Sequence, residues 1–295
     1  MPDDAPHARS VVGVDLAREL EEQVLELRAD GPTVAHRAAL ADLLVAWAES
    51  LVALHRTEVT SATPALPLPR VLAAEGRDGE LAGAHDGAPA VAGRAWAVRQ
   101  HPRVRRALAV ARAGWSADRW VHDAGPDAVV VLRGHRPGAD APPTGDRSTT
   151  GGPSGAGVSS AGRSWSSRRP ADLPSEVVVV AGPAGPQDGP RAELVAAGRG
   201  DARWDVATAL DWLAVHLAPA LDPAWELDPV AAFMRSYRAY GGDAEPDRPL
   251  AVARTIATAA AWSDALAARA QEPDEDELAW VAGLWARPLA LLAPR

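Results

Sequence analysis

Apolar residues recur at steps of three and four along most of this chain of 295 residues, which is the spacing of an amphipathic helix. The clearest stretch follows a Gly31-Pro32-Thr33 start signal and continues through Leu40, Leu44, Trp47, Leu51 and Leu54. It predicts a helix over residues 33–56. The same periodicity predicts further helices over residues 14–27, 89–113, 202–217, 228–240, 249–270 and 275–292.

Only two segments have the composition of strands. Residues 129–132 (VVVL) and 177–180 (VVVV) are short β-branched runs bounded by Gly and Pro, which predicts a small buried hairpin. The residues between its arms, from about 137 to 175, are mostly Gly, Ser, Thr, Pro and Ala, so we expect a disordered insertion there. The chain therefore predicts a mainly α (α+β) fold, in which a hairpin lies against a bundle of helices.

Composition narrows the possible functions. The net charge of −9 and a pI near 5.4 argue against nucleic acid and membrane surfaces as partners. The chain has no cysteine, which excludes disulfides and thiolate chemistry, and its eight histidines lack the spacing of a zinc site. Because the amino terminus carries no apolar signal segment, we expect a soluble cytoplasmic protein. Lysine and asparagine are absent as well, so all 30 basic residues are arginine.

Two motifs are the most specific features of the sequence. The first is the block of residues 198–207, Gly-Arg-Gly-Asp-Ala-Arg-Trp-Asp-Val-Ala, and the second is Leu51-Val52-Ala53-Leu54-His55-Arg56. They resemble the Gly-Asp-Pro-x-Trp-Asp-Val-Ala signature and the Leu-x-x-Leu-His segment of the aminoglycoside phosphotransferase family, which is kinase-like. The resemblance covers residues 33–292 and is nearer to members encoded beside peptide-modifying enzymes in actinobacterial gene clusters.

The resemblance implies a particular domain organisation. Residues 31–295 would form a kinase-like carboxy-terminal lobe, interrupted by the insertion at about 137–175, and residues 1–30 would be an extension. A kinase amino-terminal lobe needs a twisted sheet, a glycine-rich loop and a lysine on a strand. The residues before the first clear helix are few, helical in pattern and free of a glycine cluster. We therefore expect that lobe to be missing or vestigial.

The family's catalytic loop reads His-Gly-Asp, four residues, then Asn, and here the matching stretch begins at Val121-His122-Asp123. If the glycine is deleted, Asp123 matches the catalytic aspartate and Ala128 the asparagine. Without a gap, these positions fall on Ala124 and Val129 instead. Both alignments lose the asparagine, and an apolar side chain cannot bind Mg²⁺, which needs oxygen ligands.

The second metal position of the family is also altered. Counting back from Asp201 places it on Glu193, whereas counting from the strand at 177–180 places it on Ala181 or Gly182. A glutamate supplies a carboxylate on a longer stem, so Glu193 is the candidate metal ligand. The alternative is that Glu193 is an ordinary surface residue.

Four other residues of the motifs have structural interpretations. Asp201 is placed to cap the helix that follows it, and Trp204 belongs to the same block. In kinase-like folds the aspartate at the position of Asp205 holds the backbone of the catalytic loop, so we expect it to point at the backbone near His122. His122 itself is interpreted as a hydrogen-bonded structural histidine.

These features favour a noncatalytic, pseudokinase module that binds a protein or peptide partner, in the maturation of a peptide natural product. Its partner would dock where the missing lobe would lie, and no cofactor is expected. The alternative is a residual ATP-dependent phosphotransferase acting on a hydroxyl of a small molecule or peptide. In that case Asp123 would be the base, Glu193 would hold Mg²⁺ for ATP, and Arg119 or Arg133 would replace the charge of the lysine.

Overall fold

A computed structural model describes residues 13–73, 89–122, 129–132, 176–179, 198–269 and 272–294. Within these ranges the chain is mostly helical. The α-helices are α1 (Leu16–Asp30), α2 (Val34–Arg56), α3 (Arg70–Ala73), α4 (Pro89–Gln100), α5 (Pro102–Ala113), α6 (Ala202–Trp212), α7 (Pro229–Ala239), α8 (Arg248–Ala267) and α9 (Glu275–Leu291). A mainly α fold, as the apolar periodicity predicts, is therefore confirmed.

Polar side chains fix where most of the long helices begin. The Thr33 hydroxyl accepts the amide of His36 at the start of α2, where the Gly31-Pro32-Thr33 signal predicts a beginning. Aspartates do the same at four other helices, because a carboxylate accepts an orphan amide and suits the positive end of the helix dipole. These caps are Asp201, Asp228, Asp247 and Asp274.

One predicted helix is two separate helices in the structure, so the prediction of a single helix is wrong. Residues 89–113 form two helices, α4 and α5, and not one. His101 lies between them in an extended conformation, and its ring accepts the amide of Arg103 as an N-cap. Pro102 explains the break, since proline disfavours helical backbone at the preceding residue and suits the first turn of a new helix.

The strands form two small sheets. β3 (Val129–Leu132) pairs antiparallel with β4 (Glu176–Val179), with Val129 opposite Val179, which confirms that the two predicted strands pair, the second beginning one residue earlier than predicted. β1 (Gly13–Asp15), which the sequence pattern does not predict, adds to the other edge of β3. The second sheet pairs β2 (Arg119–Val121) with β5 (Gly198–Gly200). The predicted disordered insertion at 137–175 lies outside the described residues.

The largest buried cluster joins α1, α2, α6 and α7. It includes Trp47, which meets Phe233 edge to face at 5.1 Å between ring centroids. The apolar side of α1 belongs to the same cluster through Leu16, Leu20 and Leu27, all of which are fully buried. Residues 16–30 thus share a core with α2, and a domain limit at residue 30 stays a prediction.

A second cluster lies among α4, α5, α8 and α9. Trp285 of α9 is buried there, and its indole donates to the hydroxyl of Ser263 at 3.0 Å. Val104 of α5 and Val252 of α8 are also fully buried in it. The helical hairpin of α4 and α5 is therefore held on the body of the protein by its inner side.

Helix α2 is the one described helix long and apolar enough to cross a membrane by length and composition. The core helix of a soluble protein passes the same test. Much of α2 is buried against α1 and α7, including Leu40, Leu44, Trp47 and Leu51, which is compatible with a soluble protein. A cytoplasmic location stays a prediction.

Candidate functional site

The block of residues 198–207 lies where β5 passes into α6, and close backbone packing explains its two glycines. A Cβ on Gly200 would stand 2.4 Å from Cγ2 of Val121 in β2. On its other side β5 pairs with the segment around Ala65, and a Cβ on Gly198 would stand 2.5 Å from the carbonyl oxygen of Pro64. At both positions any residue larger than glycine would require the neighbouring segment or side chain to shift.

Asp201 caps α6, as the sequence predicts, and its carboxylate is fully occupied. Oδ1 accepts the amide and the Nε of Arg203, each at 3.0 Å. Oδ2 accepts the amide of Ser116 at 3.1 Å and Nη2 of Arg203 at 2.6 Å. Because Arg203 also donates to the carbonyl of Gly114, the cap ties the start of α6 to the end of α5.

Trp204 follows this cap and is buried between two neighbours. Its ring lies 6.0 Å from that of Trp115, edge to face, and the guanidinium of Arg254 stands 5.3 Å from its centroid. Such contacts stabilise a buried tryptophan by packing and by attraction of the cation to the ring face. The role of Trp204 in this structure is packing between α5, α6 and α8.

Asp205 lies one turn into α6 and is the centre of a buried hydrogen-bond network. Its Oδ2 accepts the backbone amide of His122 at 3.1 Å, which places it where the sequence predicts. The same oxygen lies 3.3 Å from Nε2 of His55, at the end of α2. Nδ1 of His55 in turn lies 2.9 Å from the hydroxyl of Tyr237 in α7.

The ionised form of Asp205 assigns a direction to its own hydrogen bonds. Burial alone would raise the pKa of Asp205 strongly, but the charge of His122 and the hydrogen bond from His55 keep that pKa below its ordinary value. Because an ionised carboxylate only accepts, Nε2 of His55 donates to it. Burial raises the pKa of Tyr237 to about 12, and the amide of Ala244 donates to its oxygen.

Arg119 is a partly exposed neighbour of the network and is hydrogen-bonded to two of the segments around it. Its Nη2 donates to Asp243 at 3.2 Å and its Nη1 to the carbonyl oxygen of His55 at 3.4 Å. The guanidinium therefore binds the end of α2 and the loop after α7. This is a different task from the phosphate contact that the alternative function asks of Arg119.

The structure brings together four of the residues singled out from the sequence: His122, Asp201, Trp204 and Asp205. The predicted catalytic Asp123, the predicted metal ligand Glu193 and Arg133 lie outside the described residues. Among the residues that the structure does describe, no three His, Asp or Glu side chains converge to form a metal site. Within the described residues, the hydrogen bonds of Asp201 and Asp205 hold neighbouring backbone and side chains in place.

Sequence reasoning missed two members of the site, Tyr237 and Arg203. Tyr237 is 182 residues from His55 in the chain, and no local pattern indicates that its hydroxyl is buried against a histidine. Arg203 does carry a signal, because it lies two residues after Asp201, where a cap residue and a long basic side chain can meet. His55 belongs to the Leu-x-x-Leu-His motif, but the motif alone predicts no partner for its ring.

Comparisons with protein-family models, with curated proteins and with solved structures found no match for this chain.

Proposed function

We propose that this chain is a noncatalytic module with a phosphotransferase-like, pseudokinase fold that binds a protein or peptide partner, in the maturation of a peptide natural product. The observation that carries the proposal is the occupation of Asp201 and Asp205. Asp201 accepts four hydrogen bonds across its two oxygens, and Asp205 accepts two at Oδ2 within a completely buried side chain, so neither carboxylate is presented to a substrate or a hydrated metal ion. Their work is structural.

The position of the network supports the same proposal. It fixes the backbone of His122, next to the stretch that resembles a catalytic loop, to α2, α6 and α7 at once. A backbone position that is held in this way at His122 offers a partner a fixed point of attachment without requiring chemistry there. In the family that the sequence resembles, this is the side on which the amino-terminal lobe lies.

A thermal-shift titration with ATP and Mg²⁺ tests the proposal. A ligand at 100 times its Kd stabilises a protein by about 2.7 kcal/mol, which for a domain of this size raises the unfolding temperature by roughly 5–10 °C. We expect no such rise at millimolar MgATP. A saturable rise would contradict the proposal and favour the residual phosphotransferase.

In that event the variant Asp123→Ala separates binding from chemistry. If Asp123 is a catalytic base, the variant loses ATP-dependent transfer to a hydroxyl while the thermal shift is kept. If transfer is unchanged in the variant, Asp123 is not the base.

A further inference from the structure

The hairpin of α4 and α5 carries a concentration of positive charge in a protein that is acidic as a whole. Residues 87–117 contain six arginines and no aspartate or glutamate, whereas the whole chain has a net charge of −9. α5 buries Val104, Ala107 and Ala111 on its inner side, toward α8. Its other side turns Arg103, Arg105 and Arg106 to solvent.

These three arginines differ from most of those elsewhere in the structure. They have no ion pair and no side-chain hydrogen bond within the part of the chain that the structure describes. Several other arginines pair with a carboxylate, namely Arg18, Arg119, Arg203, Arg238, Arg269 and Arg287. Three guanidinium groups without such contacts, spread over the solvent half of α5, have unused capacity for binding carboxylates or phosphates.

An exposed tryptophan lies beside the same corner. Trp96 of α4 is 60% exposed, the largest exposed fraction of any described tryptophan. Trp96 and Arg106 each lie five residues from His101, so each is within about 8 Å of the corner along its helix axis. Tryptophan and arginine are the side chains most enriched at the centres of protein interfaces. We call Trp96, Arg103, Arg105 and Arg106 the arginine face.

We propose that the arginine face binds a short acidic segment of a partner protein, with carboxylates on the arginines and an apolar side chain on Trp96. This names the chemistry of the partner and thus rests on the proposed function. The two helices are each about 18 Å long, so they match a segment of a few residues. A long polyanion such as nucleic acid would extend past this patch along a molecule of net charge −9, which repels it.

The test is fluorescence anisotropy with a labelled ten-residue peptide of eight glutamates and two leucines. Comparison probes are the same peptide with glutamine in place of glutamate and a single-stranded oligodeoxynucleotide of equal charge. We expect the glutamate peptide to bind, the glutamine peptide to bind at least tenfold more weakly, and affinity to fall between 50 and 200 mM salt, because exposed charges are screened. Equal binding of both peptides, or tighter binding of the oligonucleotide, overturns the proposal.

Two triple variants locate the site. R103Q/R105Q/R106Q and R18Q/R235Q/R238Q remove the same charge from exposed positions on helices, and glutamine keeps helix propensity. We expect the first to weaken peptide binding at least tenfold and the second less than twofold, with Trp96→Ala weakening it severalfold. Equal losses in the two triple variants would show that net charge, and not this face, holds the peptide. A dimer of the chain that only the first variant dissociates would make the occupant a second copy and overturn the proposal.

The peptide-binding test and the MgATP test of the proposed function can fail independently of each other. Binding of MgATP would contradict a noncatalytic module and leave the arginine face intact. Failure of the acidic peptide to bind would remove this face as the docking surface, while a partner could still dock near His122.

Discussion

Asp205 shows how a buried charge is kept in this protein. Its side chain is completely removed from solvent, which by itself favours the neutral acid, yet its pKa lies below the ordinary value. The amide of His122 and the ring of His55 reverse the effect of burial, since hydrogen bonds and neighbouring positive charge favour the carboxylate. A charge held in this way fixes its neighbours, because any movement of them leaves it uncompensated.

The variant Asp205→Asn tests this at the residue scale. An amide keeps the size of the side chain but accepts the two hydrogen bonds as a neutral group, so we expect a loss of about 1.5–3 kcal/mol in the free energy of unfolding. Urea unfolding near neutral pH measures it. Asp30→Asn is the control, since Asp30 is exposed at the end of α1, and it should change stability by less than about 0.5 kcal/mol.

The same variant should change the response to acid. Because the folded pKa of Asp205 lies below the unfolded value, its contribution is present above about pH 4 and is lost as pH falls through the folded pKa. The wild type should therefore lose more stability between neutral and strongly acidic pH than Asp205→Asn does. Parallel pH profiles for the two proteins would contradict this account.

Tyr237 gives the opposite dependence at alkaline pH. Its folded pKa is raised from 10.0 to about 12, so its contribution is fully present below pH 10 and is lost as pH rises through 12. Tyr237→Phe removes the hydroxyl that is hydrogen-bonded to Nδ1 of His55, which we expect to cost about 1–3 kcal/mol near neutral pH. Between pH 8 and 12, the free energy of unfolding should fall less steeply with pH in the variant than in the wild type. An equal slope in both proteins would show that the phenol is not buried in this network.

At the scale of elements, the pairing of β2 with β5 positions both aspartates. The two strands have only three residues each, and neither shows the alternation that identifies a strand from sequence. What the sequence does show is the pair Gly198 and Gly200, whose meaning becomes plain only when Pro64 and Val121 are seen against them. Where distant segments approach closely, the sequence shows the glycines but does not show which segments they contact.

A matched pair of glycine variants tests this pairing. In Gly200→Ala the new methyl group would meet Val121, so we expect a loss of about 1–3 kcal/mol in the free energy of unfolding. Gly93→Ala is the control, because Gly93 lies in α4 with nothing within 4 Å of its would-be Cβ. There alanine should stabilise the protein by about 0.5–1 kcal/mol through helix propensity. Changes of the same sign in both variants would contradict the close contact at Gly200.

At the scale of the molecule, the sequence predicts helices far better than contacts between them. The step of three and four places the long helices, such as α2 and α9, within a few residues, because each buries one continuous apolar side. The capping role of Asp201 is also predicted from the sequence, since a cap acts within its own turn. The pairing of β1 with β3 and the bond from Tyr237 to His55 are not, because both depend on residues far apart in the chain.

The buried network around Asp205 shows why only part of a site can be predicted from sequence. The motif residues Asp205 and His55 are recognisable, and the resemblance to the phosphotransferase family implies that Asp205 points at the backbone near His122, where the structure places it. The side chain that completes the network comes from α7, which carries no motif. Sequence therefore predicts the acceptor at the centre of the site but not the full set of its donors.

Titration calorimetry with MgATP is the measurement that tests the central claim most directly. The account predicts no saturable heat up to about millimolar nucleotide, a range that covers the usual affinities of enzymes for their substrates. Saturable binding with a Kd of about 100 μM or below, abolished when Mg²⁺ is removed, would contradict it. Such a result would mean that groups other than Asp201 and Asp205 hold a triphosphate.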